Sequence, residues 1–167
     1  VGVPSRPDRG SGPVRVGYVS GDLRRHSVAF FIEPVLAAHD RERFHVTCYS
    51  NGDQQDAVTA KLRELADEWR DIARLSDDAA RALIEDDEID VLVDLSGHSA
   101  RNRLGVFAGR SAPVQVTWLG YPNTTGLKNM DYRITDAIAD PESADELHSE
   151  TLVRLPGGFH CYRPVPG

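Results

Sequence analysis

The sequence predicts an α/β fold in which a mostly parallel sheet is covered by helices on both faces. Short apolar runs of strand length alternate with amphipathic runs of helix length, the pattern of strand–crossover–strand units. Residues 89–95 (IDVLVDL) are apolar at nearly every position, as a strand buried on both sides requires. Three of the strand-like runs empty into polar, glycine-containing loops at residues 20–26, 96–102 and 120–126. Parallel strands would gather those loops at one edge, where open α/β sheets bind ligands. The expectation is one Rossmann-like lobe with a cleft along that edge.

Bulk properties narrow the class further. The 167 residues can bury one proper core. A hydrophobic fraction of 40% and a charged fraction of 27% belong to an ordinary globular chain. The net charge of −7 argues against a nucleic-acid or anionic-membrane surface. Cys48 and Cys161 are too few for a disulfide framework and fit no zinc spacing, so a reducing, cytoplasmic setting is expected. No run approaches the ~20 apolar residues of a membrane span, and no signal-peptide core opens the chain. The chain begins with Val and ends in Pro-Val-Pro-Gly, and reads as an excerpt of something longer.

Residues 1–13 (VGVPSRPDRGSGP) have the composition of a linker or arm, and the lobe proper is expected over 14–164, with 165–167 starting a further linker. Residues 14–19 form the first strand, and the turn at Ser20-Gly21-Asp22 uses the conformational freedom of glycine. Ser27 is placed to cap a helix over 28–38, which Pro34 would kink. Residues 44–50 (FHVTCYS) alternate as a second strand. Val58, Leu62, Leu65 and Trp69 form one helical stripe over 56–69, and 70–74 is read as a short edge strand. Ser76, followed by Asp77 and Asp78, starts a helix through Leu83 and Ile84 that ends in the acidic run 85–88, a solvated surface. After the strand at 89–95 come a short helix at 103–108, a strand at 114–119 (VQVTWL) and a last strand at 132–135 (YRIT). Residues 140–150 form a loop or irregular helix, 152–155 are apolar again, and 156–167 have linker composition.

The chemistry-bearing residues cluster at the first loop. His26 lies just outside the positive end of a helix, where a neutral imidazole able to accept a proton is expected, with Asp22 near enough to orient it. The sequence has no G-x-G-x-x-G after the first strand, no P-loop, no H-E-x-x-H, no C-x-x-C and no Asp-x-Asp pair. Phosphate, if handled here, would be balanced by N–H dipoles, Arg or Lys, with Arg24-Arg25 as possible contacts.

Laid out in this way, the chain resembles the catalytic region of the O-GlcNAc transferase/SPINDLY glycosyltransferases. The match is carried by residues 15–22 (RVGYVSGD) with His26-Ser27, by 90–98 (DVLVDLSGH), by 112–126 (APVQVTWLGYPNTTG) and by 131–140 (DYRITDAIAD). Residues 152–156 (LVRLP) and Cys161-Tyr162 continue it, and GYPNTTG with DYRITD is nearer the SPINDLY branch. The resemblance implies the N-terminal lobe of a two-lobed GT-B enzyme. Such an enzyme is metal-independent and inverting, and moves a sugar from UDP-GlcNAc or GDP-fucose to Ser or Thr of a polypeptide acceptor, with no other cofactor. It also implies a C-terminal lobe holding most of the nucleotide and upstream helical repeats as partners, so that this lobe alone would be inactive. By the same resemblance His26 and Asp22 match active-centre positions, while Ser27, Val28, Leu119, Gly120 and Tyr121 match positions near the donor. His98 stands where SPINDLY-like sequences have His, and both loop-bracing and substrate contact fit it; Asp94 reads as structural. The alternatives are a receiver-like phosphoacceptor domain built on Asp22, Asp94 and Lys128, and a non-catalytic binding module on the same lobe.

Overall fold

The computed structural model describes residues 12–163. Residues 1–11 of the expected arm and the expected linker start at 165–167 lie outside the described residues. The elements are β1 (Val14–Ser20), α1 (Ser27–Ala38), β2 (Phe44–Ser50), α2 (Ala57–Leu65), β3 (Glu68–Asp71), α3 (Asp77–Asp86) and β4 (Val91–Asp94), followed by α4 (Leu104–Ala108), β5 (Val114–Thr117), β6 (Tyr132–Thr135), a 3₁₀ helix (Glu142–Leu147) and β7 (Thr151–Arg154). The strands form one sheet in the order β3-β2-β1-β4-β5-β6-β7, and every neighbouring pair is parallel.

Alternation along the central strands supplies two cores, one on each face. Val16 and Tyr18 of β1 join Val28, Ile32 and Leu36 of α1 and Leu62 of α2 on one side. Val19 of β1 joins Leu92 of β4, Ile84 of α3 and Phe107 of α4 on the other. Gly17 belongs to this second face, where an added Cβ would meet Leu92 and Tyr49 at 2.9 Å each, so the strand needs a residue without a side chain there. Cys48 is buried in β2 and Cys161 is exposed, and both are free thiols.

Four expectations change. The helix expected over 56–69 ends at Leu65, and Trp69 lies in β3, which therefore starts earlier than residue 70. The Asp67 N–H bonds the Val46 carbonyl and its carboxylate takes the Val46 N–H, so pairing with β2 captures the chain before the apolar stripe is complete. Residues 132–135 are not the last strand: Thr151–Arg154 adds β7 outside β6, a half-exposed edge strand too short to declare itself by alternation. Gly21 avoids the left-handed region, and what it contributes is space, because an added Cβ would lie 2.7 Å from the Cβ of Arg101. His26, not Ser27, caps α1.

Candidate active-site rim

β1, β4 and β5 are neighbours at the centre of the sheet and end in step, with Val19 opposite Asp94 and Asp94 opposite Thr117. Their following loops therefore share one rim and touch. Arg101 Nη2 donates to Asp22 Oδ1 at 3.2 Å, tying the second loop to the first, and Asn51, just after β2, donates from Nδ2 to the Arg101 carbonyl at 2.8 Å. The His98 Nε2–H donates to the Thr125 carbonyl at 3.0 Å, and the His98 and Tyr121 rings meet edge-on with centroids 5.3 Å apart, tying the second loop to the third.

The backbone of this rim is held from below by Asp94, which is fully buried. Its carboxylate accepts from the Ser96 N–H at 3.0 Å, the Gly97 N–H at 2.8 Å and the Thr117 hydroxyl at 2.8 Å. Burial pushes the Asp94 carboxyl above the usual carboxylate range, against the pull of those three donors. A carboxylate so enclosed is unavailable to phosphoryl chemistry, which removes the phosphoacceptor reading.

At the end of β5 the chain turns sharply. Leu119 has φ +75°, and the Gly120 N–H closes on the Trp118 carbonyl at 2.9 Å, a γ-turn of the strained, positive-φ kind. Gly120 then presses on the chain just after β4 so closely that an added Cβ would lie 1.8 Å from the Leu95 carbonyl oxygen. At Gly97, which has φ +52°, an added Cβ would meet the Tyr121 Cβ at 2.3 Å. Both contacts are possible with glycine alone.

His26 begins α1 with an extended backbone, and its Nδ1 accepts from the Val28 N–H at 3.3 Å. With Nδ1 accepting, the neutral ring carries its hydrogen on Nε2, which faces Asp22 Oδ2 at 4.0 Å. Proton uptake at Nδ1 would therefore release the helix cap. Asp22 is buried, and its Oδ1 also accepts from Arg24 Nη2 at 3.2 Å. Ser27 is exposed at the first position of α1, whereas the Val28 side chain packs into the core below α1.

A second set of residues, missed in the sequence, fixes the third loop from behind. Arg133 of β6 is 2% exposed; its Nη1 donates to the carbonyls of Tyr121 (2.9 Å) and Asn123 (3.2 Å), and its Nε donates to Asp140 at 3.2 Å. Glu150, 4% exposed, accepts from the Thr125 N–H at 2.7 Å, from the Thr125 hydroxyl and from the Thr124 hydroxyl at 2.7 Å. Burial works to raise the Glu150 carboxyl, but these donors outweigh it and hold the group below its ordinary range. The available signal was Arg133 itself: a cation inside a short apolar strand is stable only with partners.

The expected site residues thus fall into two groups joined by the loop at 96–102. Asp22, His26 and Ser27 gather at the head of α1, while His98, Leu119, Gly120 and Tyr121 gather at the end of β5. Among the described residues no hydrogen bond or ion pair joins His26 directly to Gly120 or Tyr121; the contacts between the groups run through Arg101 and His98. No trio of His, Cys, Asp or Glu among the described residues is placed to hold a metal ion, and no helix is long and apolar enough to cross a membrane.

The chain as a whole is similar to known proteins. Residues 4–162 match Glycosyl transferase family 41. A probable UDP-N-acetylglucosamine–peptide N-acetylglucosaminyltransferase SPINDLY of Solanum lycopersicum is 49% identical over 158 residues, covering 92% of this chain and 17% of that protein. The UDP-N-acetylglucosamine–peptide N-acetylglucosaminyltransferase of Caenorhabditis elegans is 34% identical over 148 residues, covering 87% of this chain and 13% of that protein. A mutant O-GlcNAc transferase of Thermobaculum terrenum has a solved structure that superposes with a TM-score of 0.93 at 48% identity, covering 99% of this chain and 32% of that one. The chain spans about a sixth of the length of its plant relatives.

Proposed function

The chain belongs to glycosyltransferase family 41, and from that premise we propose that it is the N-terminal lobe of a two-lobed protein O-glycosyltransferase, with the rim of β1, β4 and β5 forming its half of the active cleft. The observation that carries the reading is the meeting of three loops at one edge, with His26 and Asp22 on one side and His98, Gly120 and Tyr121 on the other. The donor is a nucleotide sugar: UDP-N-acetylglucosamine by the names of the relatives, or GDP-fucose by the likeness to the SPINDLY branch. The acceptor is a Ser or Thr hydroxyl of a polypeptide. The remaining two partners are a C-terminal lobe and upstream helical repeats, and the enzyme acts in the cytoplasm.

In the reaction the acceptor oxygen forms a bond to the anomeric carbon as the bond from that carbon to the diphosphate oxygen breaks. The configuration inverts, the hydroxyl proton passes to water or to an oxygen of the departing diphosphate, and the nucleoside diphosphate leaves with the electron pair. No metal ion is needed in this scheme. This lobe contributes orientation. With its Nδ1 committed to the helix cap, the His26 ring offers Nε2–H, which suits hydrogen bonding to a sugar or phosphate oxygen better than removal of a proton. The strained turn at Leu119 presents the Gly120 backbone and the Tyr121 ring along the opposite wall.

Transfer of labelled sugar from each donor to a polypeptide acceptor, assayed with the full-length protein that carries this chain, tests the reading. His26→Ala is expected to lower kcat/KM by about a hundredfold, and the 167-residue chain alone is expected to be inactive. An unchanged rate and donor affinity in His26→Ala would overturn the assignment.

A further inference from the structure

The arginines at the head of α1 are not used by the function above. Asp22 is the carboxylate they share: Arg24 Nη2 and Arg101 Nη2 both approach its Oδ1 at 3.2 Å. One negative charge thus faces two positive ones, and the negative charge is the inner of the three. The Asp22 side chain is 8% exposed, against 22% for Arg24 and 41% for Arg101. Each guanidinium gives Asp22 one of the five N–H groups it carries, and each stays partly open to solvent. In a chain whose net charge is −7, this places a local cationic excess at the rim of the cleft, beside the positive end of a 12-residue helix.

Arg101 is also held in readiness. Its φ of +58° is a conformation that a long side chain rarely adopts. Two features impose it: the Asn51 Nδ2 bond to its carbonyl at 2.8 Å, and the missing side chain of Gly21, against which its Cβ rests. Residues held in this conformation persist where the surroundings over-determine them, and they concentrate at ligand clamps. A simple brace between two loops would need one arginine and no such backbone.

We propose that Arg24 and Arg101 form an anion clamp, anchored by Asp22, that takes a phosphate group of the nucleotide-sugar donor on the N-terminal wall of the cleft. Guanidinium forks match phosphate oxygens in geometry and stay charged at every working pH. The identity of the ligand rests on the glycosyltransferase reading, whereas the clamp itself rests on the geometry of the three side chains. Its contribution is to hold the diphosphate about equally in the ground state and in the transition state, which is binding rather than acceleration.

Inorganic pyrophosphate titrated calorimetrically into the 167-residue chain at low ionic strength is the direct test. The parent chain is expected to bind it, and the double variant Arg24→Gln/Arg101→Gln to bind at least about tenfold more weakly, as loss of two charge-assisted contacts requires. Arg41→Gln, which removes the same charge ahead of β2 at the other end of the sheet, is expected to leave the affinity unchanged. In the full-length protein the double variant is expected to raise the donor KM about tenfold while changing kcat less. No pyrophosphate binding by the parent chain, or equal binding by the double variant, would overturn the clamp. If instead an oligoglutamate peptide binds and pyrophosphate does not, the arginines serve an acidic acceptor and the phosphate assignment is wrong. A protein that clamps pyrophosphate yet transfers no sugar defeats the glycosyltransferase reading alone; transfer with an insensitive KM and insensitive binding defeats the clamp alone.

Discussion

The two walls of the rim are built in opposite ways. The loop at 120–126 is fixed by charges that water does not reach: Arg133 grips two of its carbonyls, and Glu150 takes its threonine hydroxyls and an N–H. The loop at 20–26 is fixed by a buried acid whose partners, Arg24, Arg101 and His26, stay partly open to solvent. A buried, fully partnered charge rigidifies, because every alternative position leaves it unpaired in a low dielectric. A half-open one keeps donors for a ligand. The first wall is therefore suited to setting geometry and the second to answering charge.

Breaking the rigid wall should have the largest effect. Arg133→Met is expected to cost about 3–5 kcal/mol, because it removes the cationic partner of the buried Asp140 carboxylate, leaving it the Thr135 hydroxyl, and frees two loop carbonyls. Urea denaturation measures this, and a loss under 1 kcal/mol would show that the loop does not depend on Arg133. Gly120→Ala comes next, at roughly 3 kcal/mol, since the new methyl must displace the backbone just after β4 at Leu95. A folded, near-parental Gly120→Ala protein would mean that the γ-turn relaxes freely and contributes no fixed geometry.

These two residues also show what the sequence could and could not disclose. Continuous apolar runs made β1, β4 and β5 legible, and with them the rim, because parallel order follows from the alternation of strands and helices. Gly120 stood inside a motif that drew attention by resemblance, yet the reason for the glycine, contact with Leu95 just after a different strand, is invisible in a linear pattern. Arg133 and Glu150 were passed over as part of a strand and part of an acidic stretch. Their partners lie 7 to 26 residues away, and the loop partners meet them only because β6 and β7 extend the sheet beyond β5. The same blindness assigned the α1 cap to Ser27, since a hydroxyl is the commoner cap and nothing local announces an imidazole in that role.

Acid should separate the walls more gently. The Glu150 carboxyl titrates below its ordinary value of 4.5 in the folded chain, so its contribution is complete above that value and is lost as pH falls through the lower, folded one. Thermal melts are expected to show the parent losing stability below about pH 4.5 more steeply than Glu150→Gln, which starts about 1.5 kcal/mol less stable and has no such proton to gain. Parallel pH profiles for the two proteins would show that the hydrogen bonds to Glu150 do not lower its titration.

The smallest effect on stability tests the open wall, and it is the most informative about chemistry. His26→Ala removes the α1 cap and is expected to cost about 1 kcal/mol, whereas His26→Asn supplies a side-chain oxygen to the same Val28 N–H and should recover most of that loss. If the ring's task is to cap the helix and to donate from Nε2, Asn, which caps and also carries an N–H donor, should restore part of the transfer rate in the full-length protein. A ring that removes the acceptor proton has no such substitute, because an amide is not a base at neutral pH, and His26→Asn would then be as slow as His26→Ala despite its recovered stability. The pair of variants therefore separates the two roles by whether rate and stability return together, and the occupied Nδ1 predicts that they do.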